Sequence, residues 1–129
     1  MVNFDKRLKM IKEIDKVVDT DISTITDEDP YKTVHTLFVK KCNDYIRAIA
    51  KEHNWQVITK YHPFCEYSCF VKNGDKFVYV HLSDYRFWDW KNVLFRIAKH
   101  SQDYTGLNNH YCDLINLEVS LMELFKEEE

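Results

Sequence analysis

The sequence predicts an α+β domain: two N-terminal helices, a small antiparallel sheet of three or four strands built on an Asn-Gly hairpin, and a C-terminal helix packed on one face of the sheet. Three observations carry this. Residues 3–18 and 31–54 repeat apolar side chains every three or four positions. Residues 65–82 alternate around Asn73-Gly74, a dipeptide suited to the positive φ angles of a two-residue hairpin turn. Leu114, Leu117, Leu121 and Leu124 are spaced three, four and three apart, a third helical stripe.

In chain order, Phe4, Leu8, Ile11, Ile14 and Val18 form the first stripe, with lysines between them. The Asp-, Ser- and Thr-rich run DTDISTITDEDP, residues 19–30, reads as a linker closed by Pro30. The next helix starts at Tyr31 or Thr33, with acidic residues near its positive N-terminal end. It buries Val34, Leu37, Phe38, Cys42, Tyr45, Ile46 and Ile49 and stops at Asn54. Trp55 to Tyr61 is a β-branched, alternating strand that Pro63 ends.

With Asn73-Gly74 as the turn, Lys72 faces Asp75, Phe70 faces Phe77, Ser68 faces Tyr79 and Glu66 faces His81. The opposite face (Cys65, Tyr67, Cys69, Val71, Val78, Val80, Leu82) is more aliphatic and is the expected core. Residues 89–100 fit a helix or a buried strand, and the strand is adopted because the sheet needs another member. Gly106 marks a turn, and the final helix starts at Asn109 or Asp113.

A chain of 129 residues is one domain by length. Residues 1–30 form its N-terminal helix and acidic linker, and 31–129 its α+β body. The net charge of −3 supplies no overall basic field for nucleic acid. No apolar run approaches a membrane span, and the N-terminus lacks a signal-peptide core, which points to the cytoplasm and to reduced thiols. The four cysteines show no zinc spacing, and there is no Gly-rich phosphate loop, so no cofactor is expected.

Two groups of residues carry candidate chemistry. His81-Leu-Ser-Asp84 and His100-Ser-Gln-Asp103 are both HxxD, and convergence of His81, Asp84, His100 and Asp103 would make a divalent-metal site or a pair of general bases. The structural alternative is that each Asp caps its own turn. Arg86, Arg96 and Lys99, with Phe77, Tyr79, Trp88, Asp103 and Thr105, form a basic and aromatic grouping that suits a phosphate-bearing ligand with a stacked base. The structural alternative is a core Trp88 and basic side chains paired with neighbouring carboxylates.

The segment Val80 to Tyr111 also resembles a pattern in small uncharacterised proteins encoded by phages and mobile elements of low-GC bacteria. The resemblance rests on Ser83-Asp84, on Arg96 to Lys99, and on Asp103-Tyr104-Thr105-Gly106, within about a quarter of the chain. It implies a phage accessory protein that acts by binding, and attaches no catalytic activity to the pattern.

The function expected from the sequence is therefore a non-enzymatic binding protein that counters host defence. Its partner is a host defence protein or a small nucleotide, and a homodimer is admitted. The alternative is a metal-dependent phosphodiesterase or nuclease using the paired HxxD motifs.

Overall fold

Helix α1 runs from Phe4 to Val18 and α2 from Pro30 to His53, joined through a short 3-10 turn at Ile22–Thr24. In this computed structural model, which describes residues 2–59, 66–103 and 108–127, the helices are followed by a five-stranded sheet. Its strands are β1 (Gln56–Thr59), β2 (Tyr67–Asn73), β3 (Lys76–Leu82), β4 (Asn92–Ala98) and β5 (His110–Asp113). A 3-10 turn at Leu114–Asn116 leads into α3 (Leu117–Glu127).

Local chemistry sets the helix ends. Asn3 and Asp29 accept hydrogen bonds from the backbone amides of Lys6 and Lys32, capping α1 and α2. Pro30 occupies the first turn of α2, where its missing N–H costs nothing. Asn54 ends α2 in the left-handed conformation, with φ 58°, as its sequence position predicts.

The sheet is an antiparallel meander in the order β1-β2-β3-β4-β5. Cys69 pairs with Val80 and Val71 with Val78, which carries the aliphatic face of the hairpin into one core with Phe38, Cys42, Ile46, Ile49, Leu117 and Leu121 of the helices. The expected core face is therefore correct. Adjacent strands alternate in direction, so the β2–β3 turn and the β4–β5 connection lie at one end of the sheet and the β3–β4 connection at the other.

Three expectations are corrected. The described residues form five strands rather than three or four, because residues 110–113 extend along β4 before the last helix begins. The hairpin turn is Gly74-Asp75 rather than Asn73-Gly74: Asn73 pairs with Lys76, Phe70 with Tyr79 and Ser68 with His81. Positive φ falls on Gly74 alone, at 64°, which is the requirement of a turn with glycine in its first central position. Each partner moves by two residues, so both faces survive the shift. The apolar stripes are also narrower than expected: Phe4, Leu8 and Leu37 are exposed, and Arg7 is buried on α1 in their place.

Gly74→Ala isolates the backbone term, since a Cβ there meets no atom within 4 Å. The expected loss is about 1–2 kcal/mol in urea denaturation. A loss near zero would show that the turn does not require a left-handed residue.

Candidate functional site

The nine residues between β3 and β4, Ser83–Lys91, build the most distinctive surface. Asp84 opens the turn: its Oδ1 accepts from the Arg86 amide at 2.9 Å, and its carboxylate takes the Arg86 guanidinium through both Nε and Nη2. Side-chain hydrogen bonding to Arg86, the largest influence, outweighs the opposing effect of burial and holds the Asp84 carboxyl below its usual range. Backbone bonds from Phe87 to Asp84, from Trp90 to Phe87 and from Asn92 to Asp89 complete three successive turns.

Two aromatic side chains anchor this connection inward. Tyr85 and Trp90 are buried and meet the Phe38 ring of α2 at 4.7 and 5.7 Å between centroids. Between the anchors the chain is forced outward. Phe87 is 61% exposed and Trp88 94% exposed, beside Tyr31 of α2 at 54%. They border a concavity of about 500 Å3, whose far wall is Val18 at the end of α1 with Asp19, Thr20 and Ile22 after it.

The residues singled out in the sequence divide between the two ends of the sheet. Arg86 and Trp88 lie on this rim. Arg96 lies on the other face of the sheet from the helices, buried, with its guanidinium 4.6 Å from the Tyr79 ring centroid and Nη1 donating to the Asp103 carbonyl at 3.1 Å. Asp103 Oδ2 accepts from the Lys99 amide at 2.9 Å, bracing the β4–β5 connection. Phe77 shares the Tyr79 face, with Lys72 Nζ 5.5 Å from its ring centroid. Thr105 lies outside the described residues. Arg86, Arg96 and Lys99 therefore do not line one concavity.

The HxxD pairs separate in the same way. His81 pairs with Leu94 and stands next to the β3–β4 connection that holds Asp84. His100 and Asp103 lie beyond Ala98, and the strand from Leu94 to Ala98 alone spans about 13 Å. The His100 ring accepts from the Gln102 amide through Nδ1 at 3.1 Å, a local turn bond. His81 instead meets Tyr79 Oη at 3.3 Å and Glu66 at 3.9 Å. Burial lowers its affinity for a proton, with Glu66 acting against that.

Among the described residues, a metal-capable group does form, at a place the sequence reading missed. Glu52, His53 and Glu118 bring ligand atoms within 4.8 Å of one another. The cation already present there is Arg7, fully buried like Glu118. Arg7 Nε donates to Glu118 Oε1 at 2.7 Å, and His53 Nε2 lies 2.7 Å from Glu118 Oε2. Arg7 Nη2 sits 3.1 Å from Glu52 Oε2, but no aligned hydrogen bond forms, so that contact is Coulombic. Both Glu118 oxygens are thus occupied, and the guanidinium supplies the charge a metal ion would bring.

This arrangement is a polar clamp joining α1, α2 and α3. Its signal in the sequence is a cation and an anion at core positions of amphipathic helices: Arg7 four before Ile11, and Glu118 three before Leu121. Among the described residues, Cys42 and Cys69 are buried, and burial pushes the Cys69 thiol up to about 12.

Comparison with known proteins gives no match to a family model, to a curated protein or to a solved structure. No helix among the described residues is long and apolar enough to cross a membrane.

Proposed function

We propose that this chain is a non-enzymatic binding protein that docks on another protein through the β3–β4 rim. One observation carries the reading: two buried aromatic anchors hold Phe87 and Trp88 out into water at the edge of a concavity, beside Tyr31. Exposing a whole indole has a hydration cost that folding did not remove, and Trp, Tyr and Arg are the side chains on which protein interfaces concentrate their binding energy.

The protein form of the reading is favoured over the nucleotide form. A phosphate site needs several cations facing one space, whereas Arg86 is engaged by Asp84 and Arg96 is buried on the opposite face of the sheet beneath other contacts. The phosphodiesterase alternative needs both HxxD pairs in one place, and they stand at opposite ends of β4. The likeness of Val80–Tyr111 to phage and mobile-element proteins makes a host defence component the partner to test.

The test is the plating efficiency of a defence-sensitive phage on host cells expressing the protein. Wild type is expected to raise plating, and Phe87→Ser/Trp88→Ser to abolish the rise. Because both side chains are exposed, each substitution is expected to change folding stability by no more than about 0.5 kcal/mol in urea denaturation. Equal plating with wild type and the double variant, or no rise with either, would overturn the proposal.

A further inference from the structure

We propose, resting on the docking reading above, that the surface received by this rim is a basic one: a protein face rich in Lys or Arg that also offers an apolar side chain to the concavity. The argument is charge complementarity. The segment between α1 and α2, whose Asp19, Thr20 and Ile22 line the concavity, carries Asp19, Asp21, Asp27, Glu28 and Asp29 and contains no Lys or Arg. All five are exposed, and among the described residues none forms an ion pair.

The hydrogen bonds these acids make leave their charge in place. Asp21 accepts from the Ser23 amide and hydroxyl, Asp29 from the Lys32 amide and Asp27 from the Thr33 hydroxyl. Three cations on the flanking elements are already committed: Arg86 to Asp84, Lys91 to Asp15 and Lys16 to Glu13. Lys32, on the first turn of α2, sets one positive charge against five negative ones.

The opposite wall has matching chemistry. The Trp88 ring is open to solvent, and an indole face is the best aromatic platform for an ammonium or guanidinium group. A basic partner thus meets an acidic strip on one side and a cation-accepting ring on the other. Nucleic acid is repelled by the same strip.

The experiment follows the Trp88 indole N–H resonance of the full chain, assigned with Trp88→Phe, at near-physiological salt. The probes are peptides alternating Lys or Arg with Leu and Phe, and matched peptides with Ser or Glu in the basic positions. The basic peptide is expected to shift the indole, and the Ser and Glu peptides to leave it in place. D19N/D21N/D27N/E28Q/D29N is expected to weaken the basic peptide by about tenfold or more, while leaving folding intact because Asn caps a helix as well as Asp.

D5N/D44N/D75N/D113N/E123Q makes the same change in net charge at exposed residues outside the α1–α2 segment and outside the concavity, and is expected to stay within about twofold of wild type. Equal weakening by both variants would reduce the effect to net charge and overturn the inference. Equal shifts by the Ser and basic peptides would overturn the basic partner while leaving the docking reading intact. An indole silent to every peptide also overturns the inference, and the docking reading falls with it only if phage plating survives F87S/W88S.

Discussion

Glu118→Ala is expected to lower folding stability by about 3–5 kcal/mol, because it strands a charge in the interior. Arg7 and Glu118 are both fully buried, and the guanidinium Nε lies 2.7 Å from Glu118 Oε1. Without Glu118, the anionic partner left to Arg7 among the described residues is the partly exposed Glu52, toward which Nη2 has no aligned hydrogen bond. His53 loses its 2.7 Å partner in the same step. Replacing both members, as in R7M/E118L, is expected to recover most of the loss, since two well-packed apolar side chains leave no uncompensated charge. A loss below about 1 kcal/mol for Glu118→Ala in urea denaturation at neutral pH would contradict the buried clamp.

The same residue predicts an acid limb. Burial pushes the Glu118 carboxyl up, but hydrogen bonds and charge from Arg7 and His53 outweigh it and hold the group below its ordinary 4.5. The unfolded chain takes up the proton at higher pH than the folded one. Stability from Glu118 is therefore complete above about 4.5 and is lost as pH falls through the lower folded value. In a pH series of denaturation curves, E118Q is expected to lack this part of the acid dependence. Parallel curves for wild type and E118Q below that pH would sink the assignment.

Phe38→Ala is expected to cost about 3–5 kcal/mol, the range for removing a fully buried aromatic ring. Its consequence extends to the rim. Tyr85 and Trp90 reach the core through the Phe38 ring, and they hold the intervening Phe87 and Trp88 outward. A cavity in place of that ring releases both anchors. Phe38→Leu fills most of the space and is expected to keep the larger part of the stability. On the docking reading, phage plating should fall further with F38A than with F38L, whereas W88S should impair plating with no loss of stability. A Phe38→Ala protein as stable as wild type would show that the core does not hold the rim.

The helix ends were legible because their causes are local. Asp29 caps α2, Pro30 enters its first turn, and Asn54 leaves it through the left-handed region, all within a few residues of the positions they decide. The two faces of the hairpin were legible because side chains alternate with period two. Its register was not, since glycine alone satisfies the turn adopted and Asn73 is left to pair. Strand β5 escaped notice because its four residues, His110 to Asp113, are mostly exposed and show no alternation of burial. They extend because β4 offers an edge, and nothing in their own propensity requires it.

The candidate site was legible in its parts but not in its assembly. Arg86, Trp88, Arg96 and Lys99 stand close in sequence, and period and propensity alone put them together. In a meander, successive connections leave from opposite ends, so the β3–β4 residues part from the β4–β5 residues by the length of a strand.

By itself, then, the sequence determined the helices, the strands of the hairpin and the side of the sheet that is core, since capping and periodicity act over one or two turns of chain. Only the tertiary structure decided which charges meet. Arg7 and Glu118 are 111 residues apart and become partners because α1 and α3 close on the same core. Trp88 belongs to the surface because Tyr85 and Trp90, on either side of it, took the places beside Phe38. Both outcomes depend on which side chain occupies a limited interior, a competition that local sequence does not resolve.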